Sequence, residues 1–263
     1  MPAILIVNGN APGLIAAGDP DYGALFDTVL RALDPLIGTR QVYPDLSALA
    51  EADLVGNDGV IFTGSSTHYS ADAAEVAPHR TAMERVFARG LPVWGSCNGM
   101  QLAAVVLGGR VGTSPKGVEI GLARDLSLTP EGVLHPMMVG RSGVFTACTI
   151  HRDEVQLLPT GATLTVSNAH SPVQAFAYDR GGVDFRGTQY HPEVAPALIA
   201  RLLRQRGEDG PLAADLDAAE TDPLAAARLG ATCAALRPET RATELKAWLA
   251  HVHTRSPQVG VPA

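Results

Sequence analysis

The stretch Gly95-Ser96-Cys97-Asn98-Gly99 constrains this chain more than any other. It joins the apolar run at 91–94 to a helix-patterned segment at 99–107, so the backbone must reverse sharply within a few residues. A glycine on each side of the turn removes side chains that would collide with neighbouring elements. Such a turn presents its central side chain, here the Cys97 sulfur, at the carboxyl edge of a parallel sheet, where open α/β sheets bind ligands. The helix that follows directs its positive N-terminus at that sulfur, a setting that favours thiolate. The Asn98 backbone N–H would face an oxyanion forming beside it.

The surrounding pattern predicts the sheet that such a turn needs. Residues 3–8 (AILIVN) form a continuous apolar run of the kind buried on both faces. Asp19-Pro20 offers an N-cap and a first-turn proline. Tyr22, Leu25, Phe26, Val29, Leu30 and Leu33 then share one helical face. Further strands are expected at 39–43 and 60–63, the latter ending in the turn Gly64-Ser65-Ser66. Helices are expected at 46–52 and 73–89, with Pro78 near the start of the second. From 117 to 190 short alternating segments (119–128, 144–150, 163–167, 173–178, 183–190) predict antiparallel additions, and a helix over 196–205 closes the unit. The fold class is α/β, an open and mostly parallel sheet with helices on both faces. Residues 207–222 turn acidic and alanine-rich and read as a linker or mobile loop. Leu245, Trp248, Leu249 and Val252 recur at helical spacing, which predicts a tail helix packed back on its own domain, with binding of a partner as the alternative. The organisation is therefore a domain at 1–206 followed by an acidic linker and C-terminal helical extension at 207–263.

Composition removes several classes of function. Apolar residues make up 46% of the chain and charged ones 18%, enough for a sizeable core. A net charge of −7 argues against a nucleic-acid partner, because phosphate neutralisation needs a basic surface. The apolar run at 3–7 is far short of the roughly 20 residues that span a bilayer, and no charged segment precedes it, so neither a membrane partner nor a signal peptide is indicated. Cys97, Cys148 and Cys233 are odd in number and widely spaced. They suggest neither a disulfide framework nor a metal knuckle, and they suit the reducing cytoplasm.

A thiolate nucleophile needs a base, and the base an orienting group. Gly187-Thr188-Gln189-Tyr190-His191-Pro192-Glu193 offers both within three residues: His191 ends a strand, and Pro192 stiffens the turn that lets Glu193 reach back to the imidazole. Of the other seven histidines, only His151 has a carboxylate two residues on, Asp153. His251-x-His253 is a poor metal pair, since residues two apart on a helix diverge by roughly 200°.

GSCNGMQ followed by GTQYHPE resembles the class I glutamine amidotransferases of the Cys-His-Glu type. DGVIFTGS, GVEIG, HRDEV-QLLP and SPVQAF are similar to the amidotransferase domain of GMP synthase and its stand-alone relatives, over about residues 3–206. The resemblance implies a flavodoxin-like amidotransferase fold and hydrolysis of the side-chain amide of glutamine, or of a related γ-glutamyl small molecule, with no cofactor and no metal. It makes Cys97 the nucleophile and His191, held by Glu193, the acid and base. The oxyanion would meet the N–H of Asn98 and one from Gly64-Ser65. Gln101 matches the family's glutamine-contacting position, and His151 and Asp153 fall in the segment that meets the substrate's α-amino group. Two departures stand out. Ser65 replaces the second glycine of the usual Gly-Gly, and Asn98 replaces a larger apolar, aromatic or basic residue at the mouth of the pocket.

A complete GMP synthase would continue into an ATP-using domain with a Ser-Gly-Gly-x-Asp-Ser phosphate loop. Gly181-Gly182-Val183-Asp184 lacks both serines and reads as a hairpin turn, and no Walker-type loop occurs. Three readings follow. The first is a glutaminase subunit delivering ammonia to a separate synthetase partner. The second is a γ-glutamyl hydrolase or peptidase acting without one. The third is a non-enzymatic binding protein, against which the intact Cys97, His191 and Glu193 speak.

Overall fold

Ile4 and Ile6 enter one apolar cluster and Leu5 and Val7 another, so the first strand is buried on both faces. In the computed structural model, which describes residues 2–141 and 143–255, that strand is β1 (Ala3–Val7). The others are β2 (Gly38–Val42), β3 (Gly59–Phe62), β4 (Pro92–Ser96), β5 (Arg110–Thr113), β6 (Glu119–Leu128), β7 (Val144–His151), β8 (Asp153–Leu157), β9 (Thr163–Ser167), β10 (Ala175–Tyr178) and β11 (Asp184–Thr188). Nine of them form one sheet in the order β2-β1-β3-β4-β11-β10-β9-β6-β7, while β5 and β8 form a separate antiparallel pair. β2, β1, β3, β4 and β11 pair parallel, and the pairings from β11 outward to β7 are antiparallel. The open, mostly parallel sheet expected from the sequence is therefore present.

One expectation changes within it. The 183–190 segment is not an outlying addition. β11 pairs antiparallel with β10 through a turn at Gly181 and Gly182, both with positive φ (61° and 84°), and parallel with β4 on its other edge. The hairpin thereby delivers the end of β11 beside the end of β4. The β5–β8 pair and the short helix Pro130–Leu134 carry too little periodicity to be read from sequence.

Helices cover both faces. Met83, Val86 and Phe87 of Ala77–Ala88 and Met100, Leu102 and Ala103 of Asn98–Val106 fill one cluster. Phe26 and Leu30 of Tyr22–Leu33 fill the other. That last helix is capped by Asp21, whose carboxylate accepts from Ala24 N–H at 3.0 Å, and not by Asp19. A cap must lie two or three residues before the N–H it satisfies, and Asp21 meets that spacing. The helix expected over 46–52 is only Glu51–Leu54, because Leu46 is exposed and Asp53 accepts the Ala50 N–H instead.

The C-terminal segment differs most from expectation. Pro211–Ala218, expected as linker, is a helix: proline occupies its first turn, and Ala213 and Leu216 are buried. Alanine-rich composition is good helix material once a few side chains find a core. Leu216, Leu229 and Leu236 pack with Ile199 and Leu203 over Leu122 and Cys148, forming a third cluster. The tail helix Thr243–Arg255 buries Leu245, Trp248, Leu249 and Val252 against Ile4, Ile61 and Trp94. It is thus part of the layer that covers the parallel sheet. Among the described residues, no helix is long and apolar enough to cross a membrane.

Candidate active site

Cys97 lies between β4 and the helix Asn98–Val106 at φ 48°, ψ −102°, a backbone conformation that residues other than glycine adopt only under constraint. The constraint is visible on both sides. A Cβ on Gly95 would sit 2.8 Å from the Gly99 backbone, and one on Gly99 would overlap the Phe62 carbonyl. Cys97 N–H donates to Thr188 O at 2.7 Å, which ties the turn to the end of β11. Asn98 is the first helical residue, so its N–H has no intrahelical acceptor.

The turn after β11 brings the second half of the constellation. His191 N–H donates to Cys148 O at 2.8 Å. His191 Nδ1 lies 2.7 Å from Glu193 Oε1, and the Ser96 hydroxyl donates to the same oxygen at 2.8 Å. A carboxylate only accepts, so Nδ1 carries the hydrogen, and Nε2, buried and with no hydrogen bond among the described residues, is left for proton transfer. Burial pushes the imidazole pKa down, but the Glu193 carboxylate and the Cys97 sulfur outweigh it and raise it from 6.5 to about 10. Tyr22 stacks on His191 with ring planes 14° apart and centroids 6.0 Å apart. In contrast, burial pushes the Cys148 thiol up to about 12, which suits a structural and not a reactive cysteine.

Cys97 opens onto a cleft of about 420 Å³. Gln101, His151, Arg152 and Asp153 line it, and Asp19, Tyr22, Ser65, Ser66, Gln205 and Arg206 also contribute. Gln101 Nε2 donates to Asp153 O at 2.7 Å and to Gln189 Oε1 at 3.1 Å. The Asp153 carboxylate takes a fork from Arg152 at 2.8 and 2.9 Å and a bond from the Thr113 hydroxyl, and the Arg152 guanidinium foremost holds its pKa below the usual range. Ser65 does not have positive φ, and its hydroxyl donates to Gly9 O at 2.7 Å, so the extra Cβ brings no left-handed strain. Gly64 abuts the imidazole: a Cβ there would lie 3.0 Å from His191 Cε1. All nine residues singled out from the sequence thus gather at this cleft or against His191 just behind it.

Sequence reasoning missed three neighbours. Gln189 is fully buried and donates its Nε2–H to the Cys97 sulfur at 3.2 Å; its place two residues before His191 was the available signal. Ser96 and Tyr22 had none, since a hydroxyl before a cysteine and an aromatic on an apolar helix face are ordinary. Glu119, His151 and His170 hold ligand-type atoms within 4.8 Å of one another. Most of the ligand-type atoms are engaged with protein: His151 Nε2 meets Glu119 Oε2 at 2.8 Å, Gln174 donates to that oxygen at 2.8 Å, and His170 Nδ1 meets Ser171 Oγ at 3.1 Å, while His170 Nε2 is buried with no hydrogen bond among the described residues. They form a hydrogen-bonded network that reaches the cleft through His151. His251 and His253 face apart, toward Asp184 and Asp34.

Comparison with known proteins bears on this arrangement. Residues 25–206 match the family model for glutamine amidotransferase class-I. The chain is 34% identical over 220 residues to a gamma-glutamyl-L-1-hydroxyisopropylamide hydrolase of a Pseudomonas species, covering 79% of this chain and 74% of that protein. It is 30% identical over 191 residues to the glutamine-hydrolysing GMP synthase of Stenotrophomonas maltophilia, covering 71% of this chain but spanning only 34% of that enzyme. Among solved structures, a glutamine amidotransferase from Thermotoga maritima shares the fold with a TM-score of 0.67 at 18% identity, over 95% of this chain and 97% of that one.

Proposed function

The chain belongs to the class I glutamine amidotransferase family, and from that premise we propose that it hydrolyses γ-glutamyl amides through a thioester on Cys97. The observation that carries this reading is the set of contacts linking Cys97, His191, Glu193 and Ser96 at the foot of an open cleft. The Cys97 thiol gives its proton to His191 Nε2 as the sulfur adds to the γ-carbonyl carbon, and the developing oxyanion meets the backbone N–H of Asn98 and one from Gly64-Ser65. The C–N bond breaks as His191 Nε2 passes its proton to the leaving amine. Water then adds to the thioester carbon while His191 takes a proton from it, and cleavage of the C–S bond returns glutamate and Cys97. Glu193 keeps the proton on Nδ1 and balances the imidazolium charge. No step calls for a cofactor.

Gln101, His151 and Asp153 meet the glutamyl end, joined by the half-exposed Arg152, whose guanidinium suits an α-carboxylate. The leaving amine faces the remaining wall, with Asp19, Tyr22, Ser66, Gln205 and Arg206. An NH₂ group alone needs no such wall, so the cleft favours an amine larger than ammonia. The small Asn98 side chain at the cleft and the similarity to a hydrolase of a hydroxylated γ-glutamyl amide support the same choice. In this reading the amidotransferase domain is residues 1–206, the C-terminal helical extension serves it, and the enzyme works in the cytoplasm without a partner. The second reading, delivery of ammonia to a separate synthetase, is favoured by the similarity to GMP synthases, of whose length the chain spans about a third.

The test is kcat/KM of the isolated protein for glutamine and for a panel of γ-glutamyl amides. The expected result is that an amide of a small hydroxylated amine exceeds glutamine by about 100-fold, near 2.7 kcal/mol of transition-state preference. Turnover of glutamine alone, stimulated by a synthetase, would establish ammonia delivery instead.

A further inference from the structure

Glu244 belongs to the C-terminal helix Thr243–Arg255, yet it is fully buried and points its carboxylate at the residue next to His191. The Tyr190 hydroxyl donates to Glu244 Oε1 at 2.7 Å. Arg141 donates to both oxygens of the same carboxylate, at 2.8 and 2.9 Å, and to Arg241 O at 3.0 Å. The Arg141 guanidinium lies over the Phe145 ring at 4.6 Å, and Phe145 packs edge-on against Tyr190 at 5.8 Å. A buried carboxylate persists where its charge is matched and its oxygens are hydrogen-bonded, and here Arg141 matches the charge while three donors reach the two oxygens.

Tyr190 is therefore held at its tip and along its ring. It sits between Gln189, which donates to the Cys97 sulfur, and His191, which faces Glu193. The backbone around it is also tied, with Thr188 Oγ1 donating to Tyr190 O at 2.8 Å and His191 N–H to Cys148 O. Fixing the phenol tip fixes the rotation of the peptide units on either side, and so the directions in which Gln189 and His191 leave the chain. Filling the space at 190 needs only a ring. A hydroxyl matched to an ion pair on another element does more.

We propose that Tyr190 and Glu244 are positioning residues, through which the C-terminal helix sets the placement of His191 and Gln189 against Cys97. The inference rests on the reading of Cys97 and His191 as the reacting pair. The charged and polar groups facing His191 are Glu193, Ser96 and Cys97, with the Tyr22 ring stacked on it, and changes at 190 or 244 alter none of them.

The deciding variant is Tyr190→Phe in the full chain, which keeps the ring and the Arg141–Glu244 pair and removes only the hydroxyl. The first measurement is the pH dependence of iodoacetamide alkylation of Cys97, located by peptide mapping; the second is kcat and KM on the best γ-glutamyl amide. Small misplacement of a reacting group costs about 10- to 100-fold. The expected result is a fall of that size in the alkylation rate at neutral pH and in kcat, with KM nearly unchanged. Glu244→Gln, which keeps an acceptor for the hydroxyl, should retain more of the alkylation rate than Glu244→Ala, although both lower the melting temperature by leaving Arg141 uncompensated. A Tyr190→Phe protein with the wild-type alkylation profile and kcat, and only a lower melting temperature, would overturn the proposal. Alkylation needs no amide substrate. A wild-type protein that alkylates at Cys97 yet cleaves no γ-glutamyl amide would therefore refute the proposed function while the alkylation profiles still decide the positioning role.

Discussion

Gln189 donates its amide N–H to the Cys97 sulfur at 3.2 Å, from a side chain with no exposed surface. A donor held in that place supports negative charge on sulfur without offering a proton to lose. Hydrogen bonds to charged groups contribute about 1.5–3 kcal/mol. Gln189→Met, similar in size but without the donor, should therefore lower kcat/KM by about 10- to 100-fold. Gln101 keeps its bond to Asp153 O, so the cleft wall should hold. Steady-state kinetics alongside a melting curve checks this, and unchanged kinetics would remove Gln189 from the site.

The His191 and Glu193 pair makes a prediction with a definite sign. The folded pKa of His191 is raised, from 6.5 to about 10, so the fold favours the imidazolium. That contribution to stability is fully present below pH 6.5 and is lost as pH rises from there through about 10. Glu193→Gln removes the principal charge that opposes the effect of burial, so His191 should titrate at lower pH. The wild-type loss of stability across that window should flatten in the variant. Activity should fall by a factor on the order of 10⁴, as for the acid of a triad whose base remains. Denaturant unfolding across pH and kinetics at neutral pH measure the two effects. Parallel stability curves for both proteins would show that Glu193 does not set the His191 charge.

Trp248 on the tail helix packs against Trp94 of β4, with ring centroids 6.4 Å apart and neither side chain exposed. Trp248→Ala should destabilise the protein by about 3–5 kcal/mol, the range for large aromatic truncations in a core. The Trp248 indole N–H is buried with no hydrogen-bond partner among the described residues, so Trp248→Phe should cost less. Denaturant midpoints rank the three proteins. An unchanged midpoint with loss of self-association would mean that the stripe serves an interface.

The sequence by itself determined the elbow, because the glycines on either side of Cys97 leave a sharp reversal as the conformation that avoids collision. It also determined the parallel strands, whose apolar runs admit burial on both faces, and the pairing of His191 with Glu193, which lie two residues apart across a proline turn. These are local consequences of side-chain size, period and spacing. What only the tertiary structure decided depends on contacts between distant elements. β11 lies against β4 because the Gly181-Gly182 hairpin returns it there, and that register sets Thr188 O against the Cys97 N–H. The acidic, alanine-rich segment became a helix because Leu122 and Cys148 offered its apolar side chains a surface. Gln189 met the nucleophile, Ser96 met Glu193, Tyr22 met His191 and Glu244 met Tyr190 through packing alone. A hydroxyl, an amide or a carboxylate acquires its partner only where the chain closes on itself, and no local pattern encodes that meeting.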